Sequence, residues 1–283
     1  MELPAIEALL GAPADDAQTL LDYGYRAAWK VSARGDWFIV KADMRDGFQE
    51  AEVEAQLHAG RAGVPVPEIL ASTARPVPAV AMRWVEGVPL QSCRRMEAWR
   101  EAGRVLRLAH GATVLRSRNV PWGELVQRWL AQDIPYLVNH RGLAGSDADA
   151  VLRCAEELCA SLNEQALVWL HGDCQAAHFL VDATADRVSA VIDWGDAQEG
   201  DSALDFAILS LFEDDVLPHI LDGYEAPLEF REHLAATLPL YRALRGAAAA
   251  RWLDEHGYQD VEWPLNAVRG LARLRRGTTR DTR

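Results

Sequence analysis

Three side chains able to do chemistry stand close together in the sequence. In Leu170-His171-Gly172-Asp173-Cys174-Gln175-Ala176-Ala177-His178-Phe179-Leu180-Val181 a carboxylate, Asp173, precedes an imidazole, His178, by five positions. A second carboxylate follows in Val191-Ile192-Asp193-Trp194, 20 positions after the first. All three lie at the edges of short apolar runs. A carboxylate placed at the end of a buried strand is costly unless a cation is near it. A divalent metal ion carrying phosphate would supply that compensation, since hard cations prefer carboxylate oxygen.

The elements that must position these groups read as follows. Ala28–Ser32 and Trp37–Ala42 are apolar or aromatic runs around the glycine-containing Ala33–Asp36, the pattern of a β-hairpin. Gly47 to Gly60 has helical spacing, with Phe48, Val53 and Leu57 as the expected buried stripe, and Gly63-Val-Pro-Val-Pro67 ends it. Glu68–Thr73 and Val80–Val85 are further strands, closed by a turn at Glu86-Gly87. Long helical segments follow at Met96–Leu115, Trp122–Val138 and Asp147–Ala166. The rhythm then breaks into three short strands, Val168–Leu170, Phe179–Val181 and Val188–Ile192, around a polar loop. After Ala203 the chain returns to helix, through Leu211, Leu234–Arg245 and Ala247–His256. The expected fold class is α+β in two lobes: a small β-rich lobe with one helix over 1–87, and a larger, mainly helical lobe over 88–283.

The string His171-Gly172-Asp173, then His178, then Ile192-Asp193-Trp194, resembles the signature of the aminoglycoside phosphotransferases, small-molecule kinases with a protein-kinase-like fold. The resemblance continues in Gly200-Asp201-Ser202-Ala203-Leu204-Asp205-Phe206-Ala207. Upstream, Val40-Lys41 stands where the family has its nucleotide lysine, and Glu50 at the start of a helix stands where its carboxylate partner is expected. These features span Lys41 to Ala207 in the family's order.

The resemblance implies ATP or GTP with Mg2+ as cofactors. It assigns Lys41 to the α and β phosphates, with Glu50 holding its ammonium in place. Asp173 is the base that accepts or orients the proton of the substrate hydroxyl. Asp193 and His178 bind the metal. The purine lies between the lobes against the linker Met82–Val85, hydrogen-bonded by backbone groups of Arg83 and Val85. His171 orients the loop, Asp201 and Asp205 brace it and cap the next helix, and Asp196 either faces the substrate or is a solvated turn. The turn Tyr23-Gly24-Tyr25-Arg26 is the candidate phosphate-covering loop.

The residue types suit phosphoryl transfer, which needs positive charge and in-line placement more than covalent help. Of 29 basic residues only Lys30 and Lys41 are lysine, and Lys41 lies on an apolar strand, where a compact point charge is wanted and not a planar fork. His178 departs from the family, most of which has Asn there. The macrolide phosphotransferase branch is similar to this chain at that position. Imidazole ligates softer metals better than an amide does. A hydrolase built on Asp173 and Asp193 would leave Lys41 and Glu50 without a role.

Composition bounds the rest. The formal charge of −13 argues against nucleic acid or an anionic membrane as partner. Between Glu199 and Glu232 ten acidic residues face one basic residue, Arg231, a run that would attract a cationic substrate. The last stretch is the reverse, with Arg269, Arg273, Arg275, Arg276, Arg280 and Arg283 expected as a solvated or frayed tail. The four cysteines have no CxxC or zinc spacing and read as small buried hydrophobes of a reducing cytoplasm. No run reaches the ~18 apolar residues of a membrane span. The resemblance implies transfer of the γ-phosphate of ATP or GTP to a hydroxyl of an aminoglycoside-like antibiotic. A macrolide or metabolite kinase of the same fold, and a nucleotide-binding pseudokinase, are the alternatives.

Overall fold

The computed structural model describes residues 3–182, 187–212 and 214–278. In chain order the elements are α1 (Leu3–Leu10), β1 (Asp16–Asp22), β2 (Arg26–Ala33), β3 (Asp36–Asp43), α2 (Phe48–Arg61), β4 (Ile69–Thr73), β5 (Ala79–Arg83), β6 (Val88–Pro89) and α3 (Met96–His110). They continue with α4 (Trp122–Arg141), α5 (Gly145–Asn163), β7 (Val168–Leu170), β8 (Phe179–Asp182), β9 (Arg187–Val191), β10 (Gln198–Gly200), α6 (Ala203–Leu209), α7 (Leu217–Tyr224), α8 (Leu228–Glu255) and α9 (Glu262–Thr278). The strand and helix pattern is the α+β one expected, with a β-rich first third and helices dominating after it.

Two compact units emerge, each assembled from separated stretches. The first comprises Met1–Ala112, His171–Ala197 and Pro218–Glu225, and the second Thr113–Leu170, Gln198–Leu217 and Ala226–Arg283. The segment carrying Asp173, His178 and Asp193 thus folds with the N-terminal strands.

In the first unit five antiparallel strands run in the order β1-β2-β3-β5-β4. Alternation gives β2 and β3 two different faces. Ala27, Trp29, Val31, Val40 and Ala42 join Ala79 and Ala81 of β5 in a core that Ile6, Leu9 and Leu10 of α1 cover. The opposite face carries Arg26, Ala28 and Lys30 of β2, cross-strand from Asp43, Lys41 and Ile39 of β3. Val80 and Met82 of β5 continue that face, opposite Lys41 and Ile39. One face of the sheet is therefore apolar, and the other ends in a cluster of charges. A second small sheet, β6-β8-β9, holds the polar loop that precedes Phe179.

The helix expected over Gly47 to Gly60 forms as α2, but its stripe is corrected. Leu57 is exposed, and the buried positions are Gln49, Glu52, Ala55, Gln56 and Ala59. The reason is the surface it meets: α2 lies against charged and amide-bonding groups, so its inner face is polar.

In the second unit α8 is one helix of 28 residues where two were expected. Gly246 does not break it. A side chain there would meet the Pro264 carbonyl of α9 at 2.5 Å, so glycine serves the close approach of two helices. The basic stretch beyond Glu262 is also not frayed as far as Thr278: it is α9, tied down by Arg275 to Glu157 and Arg276 to Asp147. Arg280 and Arg283 lie outside the described residues. None of the four cysteines is in a disulfide; Cys154 and Cys174 are buried and Cys93 and Cys159 half-buried. Among the described residues no helix is long and apolar enough to cross a membrane.

Asp201 anchors a buried polar chain in this unit. One carboxylate oxygen accepts from the Ala203 N–H at the first turn of α6, at 3.0 Å. The other accepts from His233 Nε2 at 2.7 Å and from the Tyr241 hydroxyl at 2.6 Å. The Tyr241 oxygen in turn accepts from Trp122 Nε1 at 2.7 Å. Burial first, and the Asp201 carboxylate second, push the Tyr241 hydroxyl well above its ordinary ionisation range. A proton held more tightly in the folded state stabilises the fold fully below the unfolded tyrosine value of about 10, and that contribution is lost as pH rises through the folded one. Tyr241→Phe leaves the buried Trp122 N–H without an acceptor and takes one of three donors from Asp201, so it is expected to lower unfolding free energy by about 1–3 kcal/mol at neutral pH. The same variant should blunt the alkaline loss of stability, and denaturant unfolding at neutral and alkaline pH checks both.

Candidate active site

The first unit brings Lys41, Asp173, His178 and Asp193 together. Lys41, on β3, points to the charged face of the sheet. Its Nζ donates to Asp193 Oδ1 at 2.7 Å and to Glu52 of α2. The expected partner, Glu50, is corrected: it lies exposed on the outer side of α2, with Val53, Glu54 and Leu57. Two residues along a helix turn the side chain by about 200°, so only one of the two carboxylates can face Lys41. Glu52 shares the inner face with Gln49, Gln56 and Ala59, which fixes the register. Burial opposes the charge on Lys41, but Glu52 and Asp193 outweigh it and raise the ammonium above its ordinary range.

Asp193 follows β9 and adopts left-handed backbone, φ 69° and ψ 57°. A non-glycine residue held there costs on the order of 1–3 kcal/mol and is found where the surroundings over-determine it. Here they do. Ile192 N–H donates to the His178 carbonyl, and His171 Nε2 donates to the Ile192 carbonyl, both at 3.0 Å. The Trp194 ring packs on His171 at 4.6 Å between centroids and donates its Nε1–H to the Val191 carbonyl at 3.0 Å. Residues on both sides of Asp193 are thus fixed, and His171 has the orienting role expected of it.

The Asp193 carboxylate faces three basic groups. Besides Lys41, Arg26 Nη2 donates to Oδ1 at 2.8 Å and to Oδ2 at 3.1 Å. His178 Nε2 lies 3.6 Å from Oδ2. Burial would raise this carboxyl, but Lys41, His178 and Arg26 together hold it well below the usual carboxylate range.

His178 is set by the loop it belongs to. Its Nδ1 lies 2.8 Å from the Asp173 carbonyl, which only accepts, so Nδ1 carries the proton. In the neutral ring the lone pair is then on Nε2, directed to the side where Asp193 lies. A ligating imidazole is fixed in this way when its second nitrogen donates to a carbonyl. Among the described residues no three His, Cys, Asp or Glu side chains gather into a metal cage. The donor set is one carboxylate and one oriented imidazole. That suits a cation that takes its other ligands from phosphate and water, as Mg2+ usually does.

Asp173 sits in the tight loop after β7. Gly172 before it has φ +82°, and a side chain there would meet the Asp196 carbonyl at 2.0 Å, so glycine is required twice over. The Asp173 carboxylate accepts from Gln175 Nε2 through both oxygens, each at 2.9 Å. An amide fixes the direction of the carboxylate without neutralising it. Asp196 is exposed in the turn after Asp193.

Arg83 ends β5 with its N–H committed to the Glu68 carbonyl at 2.9 Å, and Val85 lies just past the strand. Met82 beside them is buried and accepts from Gln56 Nε2 through sulfur at 3.2 Å.

Sequence reasoning missed Glu52, Gln175 and the part played by Arg26.

Comparison with known proteins comes to the same place. Residues 41–247 match the model of the phosphotransferase enzyme family. No curated protein matches the chain in sequence. Among solved structures, aminoglycoside phosphotransferase APH(4)-Ia in ternary complex with ADP and hygromycin B is 16% identical, with 96% of this chain and 97% of that one covered and a TM-score of 0.73. The GDP complex of aminoglycoside 2′-phosphotransferase-IIIa is also 16% identical, covering 97% and 99%, with a TM-score of 0.73. Macrolide 2′-phosphotransferase MphH of Brachybacterium faecium, as apoenzyme, is 19% identical over 94% and 97%, with a TM-score of 0.65. These likenesses establish a shared fold, and the family match covers most of the chain. With Lys41, Asp173 and Asp193 all inside the matched span, the chain belongs to the phosphotransferase enzyme family and to its kinase-like fold.

Proposed function

We propose that the chain transfers the γ-phosphate of ATP or GTP to a hydroxyl of a small, amine-bearing, aminoglycoside-like molecule. The observation that carries this reading is the placement of Lys41 between Glu52 and Asp193, beside Asp173 and His178. Lys41, held by Glu52, binds the α and β phosphates. Asp193 and the Nε2 of His178 hold the metal, which when bound neutralises charge building up on the phosphates. Asp173, aimed by Gln175, takes the proton of the acceptor hydroxyl as its oxygen bonds to the γ-phosphorus and the bond to the β–γ bridging oxygen breaks. The nucleoside diphosphate departs with that electron pair. The base rests along Met82–Val85, with backbone groups of Arg83 and Val85 as its partners; the Arg83 N–H is already engaged, which leaves its carbonyl.

In this reading residues 1–87 carry the nucleotide-binding lobe and 88–283 the catalytic and acceptor-binding lobe, in a cytoplasmic enzyme with neither nucleic acid nor membrane as partner. Support for aminoglycosides comes from the acidic run after Glu199 and from two structural neighbours that are aminoglycoside phosphotransferases. The imidazole at 178 favours a macrolide as the second reading.

The deciding experiment measures nucleoside diphosphate release with ATP or GTP and Mg2+ against aminoglycosides, macrolides and small hydroxylated amines. Acceptor-stimulated release should fall by about 10²–10⁴ in Asp173→Ala, the usual worth of a general base. Silence across the panel with nucleotide still protecting against thermal unfolding would turn the reading to a nucleotide-binding pseudokinase or an untested acceptor, and silence without protection would sink the kinase reading. Glu52→Gln is expected to cut kcat/KM about 100-fold through a misplaced Lys41, while Glu50→Gln leaves it within about twofold. Relative to the wild type, His178→Asn should favour Mg2+ over an imidazole-preferring cation such as Ni2+, since an amide oxygen is the harder donor; metal titration of the same assay reads it, and an unchanged ratio of the two removes His178 from the metal.

A further inference from the structure

The turn before β2 offers phosphate little. Backbone N–H groups of such turns cradle phosphates when they are free to point at them. Here Tyr23 N–H donates to the Arg26 carbonyl and Gly24 N–H to the Asp22 carboxylate, each at 2.8 Å. The cation that stands nearest the site is a side chain instead.

Arg26 is the first residue of β2, cross-strand from Asp43. Asp43 already has a partner: Arg45 donates to it from Nε at 3.0 Å and from Nη2 at 2.6 Å, and the Arg45 guanidinium covers the Phe48 ring at 3.6 Å. Arg26 approaches Asp43 only to 3.9 Å. Its close contacts are to both oxygens of Asp193, the carboxylate assigned above to the metal. The side chain is about three-quarters buried, at 24% exposure, so the guanidinium is held in the site and not in solvent.

Resting on the nucleotide reading above, we propose that Arg26 holds the place of the metal on Asp193 in the empty enzyme and becomes a phosphate ligand once metal and nucleotide are bound. A cation on both oxygens of Asp193 must give way before a divalent ion can take them. Lys41 keeps Glu52 when that happens, and Asp43 keeps Arg45. Arg26 alone is left without a close carboxylate, and a planar guanidinium matches phosphate oxygens as well as carboxylate ones. This supplies from a side chain what a turn with one glycine does not supply from its backbone.

The test uses the full-length protein free of nucleotide. Mn2+ binding is followed by electron paramagnetic resonance, and ADP and adenosine binding by calorimetry at Mn2+ concentrations that saturate each variant. Arg26→Gln should bind Mn2+ about tenfold more tightly, because a competing cation is gone, and ADP about tenfold more weakly. Adenosine should bind as in the wild type, and Arg26→Lys should recover part of the ADP affinity. Unchanged or weaker Mn2+ binding in both variants, with ADP unaffected, would make Arg26 a brace for the Asp193 turn and overturn the proposal. Equal weakening of ADP and adenosine would also overturn it, as a general loss of the pocket. A wild type that binds neither ADP nor adenosine, with or without Mn2+, would instead sink the nucleotide reading on which the proposal rests.

Discussion

One half-buried carboxylate sets the terms for the first unit. Asp193 is held on a left-handed turn by hydrogen bonds on both sides, so it cannot swing out to water to relieve its charge. A carboxylate in that position would be costly unpaired, and the fold answers with Lys41 from β3 and Arg26 from β2. Each of those cations then needs its own balance. Glu52 reaches Lys41 from α2, and Asp43 lies beside Arg26 with Arg45 beyond it. The result is a run of alternating charges, Arg45, Asp43, Arg26, Asp193, Lys41 and Glu52, spread over two strands, the turn after β3, one helix and the turn after β9. Removing an inner member takes one counter-charge from each of its two neighbours.

That run explains why α2 looks wrong as an amphipathic helix. Of its inward positions, Glu52 faces Lys41, and Gln56 faces the backbone at Pro67 and the sulfur of Met82. Leu57, which periodicity would bury, is exposed instead. Periodicity reports burial against an apolar core, and α2 is buried against a charged one. Glu50 and Glu52 are separated by the same rotation, since a helix oriented by its hydrophobic stripe is turned by about half a turn from the real one.

Much of the fold was legible because its strands and most of its helices are short, regular and apolar where they meet other elements. β7 falls at Val168–Leu170 as expected, and β8 and β9 differ from their expected ranges by about a residue. The motif residues were legible for a different reason: Asp173, His178 and Asp193 are polar groups in apolar surroundings, and Gly172 is demanded by local geometry. What the sequence did not carry was pairing. Arg26 lies 167 positions from Asp193, and nothing local in β2 marks its first residue as a partner of the turn after β9. The edge strand β1 was missed because it is exposed along most of its length and shows no alternation. α8 was split in two because glycine reads as a breaker, when at Gly246 it permits a helix–helix contact.

The acidic run between Glu199 and Glu232 shows how pairing changes a functional argument as well. Counted by sequence it is a block of ten carboxylates, enough to draw a polycation by its field alone. In the structure Asp201 and Asp205 are buried, and Asp201 is bonded to His233, Tyr241 and the first turn of α6. Glu199 accepts from the Arg118 N–H, and Glu225 pairs with Arg107. Asp201 and Asp205 belong to the framework, while Glu199 is half-buried and Glu225 exposed, each with its charge already paired or hydrogen-bonded. Asp215, Asp222, Glu229 and Glu232 are exposed, and any long-range attraction must come chiefly from residues of that kind. Screening limits such a field to about 8 Å at physiological salt. Recognition of a cationic acceptor therefore has to rest on a few carboxylates within contact distance of the bound molecule, and the size of the run is a poor measure of how tightly one would bind.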